Sequence, residues 1–323
     1  MARRVLFLGS KSLGVRILQS MVNLAPGGVC AAITIDDSGD SRSELSSLMK
    51  VASEASIPLH IARDSKHAAD LIRAEAPDWC FVACWYWLVP ASLLRSVPGG
   101  FVGIHNSLLP KYRGGSPLVW ALMNSEPEVG VSFFSFREGV DDGPIWLQAR
   151  IAVGPGEYIG QVLERVEHEA LRVFRDGFPL ILNGELTPRE QDHEVATYCA
   201  QRCPEDGEID WSRPAAHVFD FIRAQSRPYP GAFTFLDEKK LTVLRASRVP
   251  SRYDGTPGQA ARLDGDGVIV VCGGASALRL DEVDPGGGPI AAGRVIRTVR
   301  IRFPRYPRGA APEVFTAGSI KPS

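Results

Sequence analysis

The sequence predicts an α/β protein, with a doubly wound parallel sheet over residues 1–185 and a smaller, mostly β domain after it. Three observations carry this expectation. Short apolar runs alternate with segments of helical spacing, the βαβα order that builds a parallel sheet covered by helices. The run Trp79-Cys-Phe-Val-Ala-Cys84 is apolar throughout, as a central strand buried on both faces requires. Beyond residue 193 short strands are separated by Gly and Pro turns, which suits a small barrel.

Taken in order, Arg4-Val-Leu-Phe-Leu-Gly9 reads as a buried strand, and residues 15–21 as the helix after it. The intervening turn, Gly9-Ser-Lys-Ser-Leu-Gly14, lacks both the Gly-x-Gly-x-x-Gly dinucleotide spacing and the Lys-Ser/Thr of a phosphate loop. It reads as a tight connection, with an anion on the helix N–H groups as the alternative. Residues 29–35 form the next strand and 36–43 a polar loop. The helix over 43–56 carries Leu45, Leu48, Val51, Ala52 and Ala55 on one stripe. A strand at 57–61 precedes a helix containing Ala68, Ala69, Leu71, Ile72 and Ala76. Trp85-Tyr-Trp-Leu-Val-Pro90 then stands at the C-terminal end of the central strand, where open α/β sheets collect ligands. Its aromatics could line a slot for a flat heterocycle or close the core edge.

A strand ends at residues 103–106 and a helix covers 116–124. Residues 130–136 alternate small or polar with apolar side chains, the pattern of a strand with one exposed face. A strand at 146–153 and a helix at 157–182 complete the first domain. Residues 186–200, polar with a Pro, read as a linker. Residues 201–305 form the second domain, with a helix over 209–224 and turns at Asp237, Gly255, Gly265 and Gly286. Residues 306–323, rich in Pro, Gly and Ala, read as a loosely ordered tail.

A formal net charge of -1 gives no whole-molecule attraction for nucleic acid or anionic membrane. No apolar run reaches the roughly 18–20 residues of a membrane span, and the N-terminus enters a strand without a signal-peptide pattern, so a cytoplasmic location is expected. Six scattered cysteines make no disulfide framework. Cys199-x-x-x-Cys203 has no second Cys or His pair beside it, so no metal is expected.

Chemistry concentrates in Phe101-Val-Gly-Ile-His-Asn-Ser-Leu-Leu-Pro110, continuing through Lys111-Tyr-Arg-Gly-Gly-Ser-Pro117, and in Gly139-Val-Asp-Asp-Gly-Pro-Ile145 one helix-length later. An imidazole (His105) and a carboxylate (Asp141), each beside Gly and Pro, suggest two catalytic loops that meet. Either alone reads as an ordinary strand-end histidine or turn aspartate. The ordered pair resembles the His-x-Ser-Leu-Leu-Pro…Arg-Gly…Gly-x-Asp-x-Gly signature of the enzymes that formylate amines with 10-formyltetrahydrofolate. These include methionyl-tRNA, glycinamide ribonucleotide and amino-sugar formyltransferases. The resemblance covers residues 4–300, with Ile209-Asp-Trp and Pro230-Gly-Ala-Phe carrying it in the second half.

It implies a Rossmann-like catalytic domain, an OB-like C-terminal barrel, and 10-formyltetrahydrofolate as co-substrate. His105 would move the proton, since imidazole titrates near neutral pH. Asp141 would orient the ring and favour its charged form. Backbone groups of Trp87, Leu88 and Val89 would hold the pterin. Ser107, Leu108, Leu109 and Pro110 would shape the loop beneath it, and Arg137, Glu138, Gly139, Val140 and Asp141 would line the slot. Arg113 would hold a substrate anion or pair on the surface, and Asp142 would be solvated. The family places Asn where this chain has Gly103. Asn106 could then donate from a shifted position, water or backbone N–H could replace the amide, or the protein has left formyl transfer as a diverged folate-binding protein.

Residues 36–43 hold three Asp against one Arg, whereas tRNA-modifying members carry a long basic loop there. Residues 34–90 are similar to a domain that formylates a nucleotide-linked 4-amino sugar. A small-molecule amine is therefore expected, with methionyl-tRNA as the alternative acceptor, tRNA and membrane not expected as partners, and a homodimer allowed for.

Overall fold

The computed structural model describes residues 3–303; the tail expected over 306–323 lies outside them. Two units divide the chain. The first holds residues up to Pro117, Glu128–Ala152 and Leu163–Ala200; the second holds Leu118–Pro127, Val153–Val162 and residues from Gln201.

In the first unit, β1 (Val5–Gly9) is buried at every position and leads into α1 (Lys11–Leu24). The chain continues through β2 (Val29–Ile35), α2 (Leu45–Glu54), β3 (Leu59–Ala62), α3 (Ser65–Glu75), β4 (Trp79–Ala83), α4 (Ala91–Leu94) and β5 (Phe101–His105). After β5 come the short β6 (Arg113–Gly114), β7 (Glu128–Ser135), β8 (Ile145–Ala152) and most of the long α6 (Ile159–Asn183), while α5 (Pro117–Met123), between β6 and β7 in sequence, falls in the second unit. The short β9 (Tyr198–Cys199) closes the unit. The sheet order is β3-β2-β1-β4-β5-β7-β8. Strands β1 to β5 are parallel, while β7 runs antiparallel to β5 and β8 antiparallel to β7. The sheet is thus Rossmann-like but mixed, with an antiparallel edge added to the expected parallel core.

The chain steps outward from β1 to β3, then returns to β4 on the other side of β1. That reversal is the topological switch point, where the loops after β1 and β4 flank a crevice. Ser10, buried after β1, ties the two together: its N–H donates to Ala83 O (3.2 Å) and its Oγ to Cys84 O (2.7 Å). Gly9 has no room for a side chain, because a Cβ would overlap Ala83 O. The connection from β1 into α1 is therefore tight. Aromatic packing anchors α6: Phe81 meets Phe174 and Phe178 edge-on at 5.8 and 4.8 Å.

Strand β7 departs from expectation. It is buried on both faces, not one. Phe133 stacks on Phe174 of α6 on one side (5.7 Å). The loop after β5 covers the other: Ser132 Oγ donates to Ser107 O (2.8 Å), and Leu109 clusters with Phe134 and Ile145. A polar residue can sit in a buried strand when a loop distant in sequence supplies its partner.

The second unit is built on an antiparallel sheet. Helix α7 (Ala215–Gln225) precedes β10 (Ala232–Leu236), β11 (Lys239–Arg248), β12 (Ala260–Asp264), β13 (Gly267–Cys272) and β14 (Ser276–Asp284). Then follow β15 (Ile290–Ala291) and α8 (Ala292–Val295). The order is β10-β11-β14-β13-β12, with β15 on β14. Asp237 and Glu238 both have positive φ (47° and 64°), the tight two-residue turn that suits a twisted hairpin. Val218, Phe219 and Ile222 of α7 pack with Val243, Leu278 and Leu280 in one core.

Among the described residues no helix is long and apolar enough to cross a membrane, and no His, Cys, Asp and Glu cluster could hold a metal ion.

Candidate active site

His105 is the last residue of β5 and is buried, with 8% of its surface exposed. Its Nε2 lies 2.7 Å from Tyr112 O. A carbonyl only accepts, so Nε2 carries the hydrogen and Nδ1 presents a lone pair whenever the ring is neutral. That lone pair faces Asp141 Oδ2 at 3.5 Å. Two acceptors in this position are reconciled by a proton on Nδ1, or by an N–H brought between them by a ligand. The same Asp141 Oδ2 accepts from Gly114 N–H (2.8 Å), which fixes the carboxylate from the β6 side. The two sequence motifs therefore meet, and they meet at these two side chains.

Asp141 adopts a left-handed conformation (φ 48°), unusual for a residue with a side chain. Gln191, with 4% of its surface exposed, spans the turn: Nε2 donates to Asp141 O (2.8 Å) and Gly143 O (2.7 Å). Its Oε1 accepts from Arg113 Nε (3.1 Å) and Nη2 (2.7 Å). Arg113 itself is buried at 1%, with Nη1 on Tyr198 OH (2.9 Å) and Nη2 on His193 Nδ1 (3.1 Å). It therefore does not pair on the surface, one of the two roles expected of it. The fork of donors is spent on the buried Gln191 and on the exposed Tyr198 and His193. The stretch 186–200, read as a linker, supplies those acceptors, and its β9 pairs in parallel with β6.

The space beside Gly103 is occupied. A Cβ on Gly103 would overlap the ring of Phe136, which stacks on Phe101 (6.3 Å, 8° between planes) and lies 5.4 Å from Phe134. Just past His105 stands Asn106, whose Oδ1 is buried without a hydrogen-bond partner. A buried amide left unpaired needs a ligand or water to complete it. Rotation of the side chain can present either its C=O or its N–H at that point. Asp142 Oδ1 is likewise shielded and unpartnered, so this residue, expected to be solvated, is half-buried.

The loop after β4 turns Trp85, Trp87 and Val89 against the same apolar cluster that Phe136 joins. Leu88 is 88% exposed beside them. Ser107 and Leu109 are buried and brace their loop, with Ser107 Oγ donating to Lys111 O (2.7 Å). Leu108 lies against Gly130, and Pro110 O accepts from Thr197 N–H (3.2 Å). On the other loop Arg137 pairs with Glu190 (2.6 Å), Glu138 with Arg95 (2.6 Å), and Gly139 and Val140 are exposed.

Lys11, at the start of α1, pairs with Asp37 (2.6 Å) and Asp40 (2.9 Å), and sits 5.6 Å from the centre of the Tyr86 ring. Burial works against its charge, but hydrogen bonds to Asp37, Tyr86 and Asp40 push its pKa up to about 12. Burial likewise opposes ionisation of Asp40, yet Arg42 and Lys11 hold its carboxyl well below the usual carboxylate range. Two of the three aspartates expected to repel phosphates are thus neutralised in place.

Sequence reasoning missed Gln191, Phe136, Lys11 and Gln148, whose Nε2 donates to Leu109 O (3.0 Å) and Ser132 Oγ (2.8 Å). Each acts through partners far away in sequence. The only local signal is a Gln in a polar stretch, which is uninformative by itself.

The first unit is thus an open α/β sheet with a His–Asp pair at the end of β5 and on the loop that follows β7, and the second unit is an antiparallel sheet. The formyl transferase family model matches residues 4–176, and the formyl transferase C-terminal domain model matches residues 203–298. The chain belongs to the formyl transferase family and is a transferase. It is 34% identical over 303 residues to a methionyl-tRNA formyltransferase of Sorangium cellulosum, covering 91% of this chain and 96% of that one. With the corresponding enzyme of Geobacter sulfurreducens it shares 31% over 280 residues, 85% of this chain and 87% of the relative. The N-formyltransferase of Helicobacter canadensis, solved with folinic acid and dTDP-3-aminofucose, superposes with a TM-score of 0.68 at 16% identity, covering 86% of this chain and 98% of that one. At that identity the likeness is one of fold.

Proposed function

We propose that this chain transfers a formyl group from 10-formyltetrahydrofolate to a primary amine at His105, with Asp141 and Asn106 as partners. The amine is carried by a small molecule, a nucleotide-linked amino sugar. The observation that supports the chemistry is the pair of facing acceptors, His105 Nδ1 and Asp141 Oδ2, at 3.5 Å. The folate supplies an activated formyl group when bound. His105, with Nε2–H already committed to Tyr112 O, takes the amine's proton on Nδ1. Asp141 stabilises the imidazolium that results, and the same nitrogen returns the proton to the departing group. Acid–base help of this kind contributes about 10²–10⁴ in rate. Asn106 turns its N–H toward the charge that develops on the acyl oxygen, a contact of about 10²–10³. Trp87, Leu88, Val89 and the segment 137–140 border the folate.

The small-molecule reading rests on the loop after β2. It is short, and its one cation, Arg42, is paired with Asp40 (2.8 Å), so it offers no spare positive charge to phosphates. Methionyl-tRNA is the second reading, favoured by the names of relatives at 31–34% identity. Folate release from 10-formyltetrahydrofolate is measured in parallel with dTDP-linked 3- and 4-amino sugars and with methionyl-tRNA. Turnover on an amino sugar supports the proposal. Turnover on methionyl-tRNA alone replaces it with the second reading.

A further inference from the structure

We propose that Gln191 is a positioning residue for Asp141, resting on the proposed role of Asp141 in formyl transfer. Asp141 holds a backbone conformation (φ 48°) that costs about 1–2 kcal/mol for a residue with a Cβ, so something must hold it there. The Gln191 amide does so. Its two N–H bonds reach Asp141 O and Gly143 O, the carbonyls on either side of residue 142, at 2.8 and 2.7 Å. Its orientation is not free. Arg113 presents only donors and the two carbonyls only acceptors, so the oxygen must face Arg113 and the nitrogen the turn. All four hydrogen-bonding positions of this buried amide are filled.

The dipeptide Arg113–Gly114 therefore grips Asp141 twice. Gly114 N–H holds the carboxylate directly, and Arg113 holds the backbone through Gln191. Arg113 spends donors on Gln191, Tyr198 and His193, and the Asp141 carboxylate faces His105. Release of the turn lets φ relax and moves the carboxylate away from His105, and a misplacement of about 1 Å costs on the order of 10² in rate.

Gln191→Glu tests this. The replacement keeps the acceptor and adds charge toward Arg113, but loses both donors to the turn. Gln191→Asn, which keeps both polarities on a shorter arm, serves if the first variant folds poorly. The rate is measured with 10-formyltetrahydrofolate and the dTDP-amino sugar, or with methionyl-tRNA if only that acceptor turns over, beside the affinity for unreactive 5-formyltetrahydrofolate. The expected result is a fall in kcat of about 10²-fold with 5-formyltetrahydrofolate affinity within about threefold. In an Asp141→Asn background the same change adds less than about threefold, because its effect passes through the lost carboxylate. A wild-type rate, a loss confined to KM, or losses that multiply with Asp141→Asn overturns the assignment. If Asp141→Asn alone keeps the wild-type rate, the reading of the whole site fails, and this assignment with it.

Discussion

Gly103 and Phe136 are expected to behave as one unit. A side chain at 103 overlaps the Phe136 ring, so Gly103→Asn forces an overpacked core that costs about 1–3 kcal/mol. For a domain of this size that lowers the melting temperature by about 2–10 °C. Phe136→Ala removes a half-buried ring stacked on Phe101 and tilted against Phe134. Full burial would make that loss about 3–5 kcal/mol, and half burial brings it to roughly 2. Independent sites would sum to about 3–5 kcal/mol. Because the ring is what the new side chain strikes, the double variant should cost little more than Phe136→Ala alone, a coupling of about 1–3 kcal/mol. Urea denaturation of the four proteins reads this directly, with folate release as a second readout. If Asn106 is the working donor, the double variant gains little rate from the added amide. Additive stability changes would refute the claim that Phe136 fills the space a side chain at 103 would take.

Lys11→Met should destabilise the first unit by about 3 kcal/mol in urea, since it leaves the Asp37 carboxylate, 7% exposed, without its cation. The Lys11 pKa is raised from 10.5 to about 12, so its stabilisation is complete below about pH 10.5 and lost as pH rises through 12; the variant should lack that loss. In the second unit Arg223→Met should cost about 3–5 kcal/mol, because the Asp220 carboxylate, 4% exposed, loses its 2.6 Å partner; folate binding should not change. Initiator methionyl-tRNA should bind negligibly at physiological salt in a filter assay; tight, strongly salt-dependent binding would restore the tRNA reading.

Much of this architecture can be read along the chain. Strands such as β1 and β4 are apolar at every position, and no partner beyond the sheet is needed to explain them. His105 and Asp141 stand out because each lies in a contiguous motif, and the structure brings the two motifs together. What stays hidden depends on contacts between distant segments. Ser132 looks like an exposed-face residue until the loop after β5 supplies its partner. Asp37 and Asp40 look like a repulsive surface until Lys11 reaches them from another strand end. Arg113 looks like a surface charge until Gln191, 78 residues on, takes its donors.

The most direct measurement is single-turnover folate release by His105→Ala and Asp141→Asn beside the unaltered protein, with 5-formyltetrahydrofolate affinity as the control for the binding slot. The account predicts that both variants lose about 10²–10⁴ in rate while their affinity stays within a few-fold. Rates equal to that of the unaltered protein would place the chemistry elsewhere and contradict it.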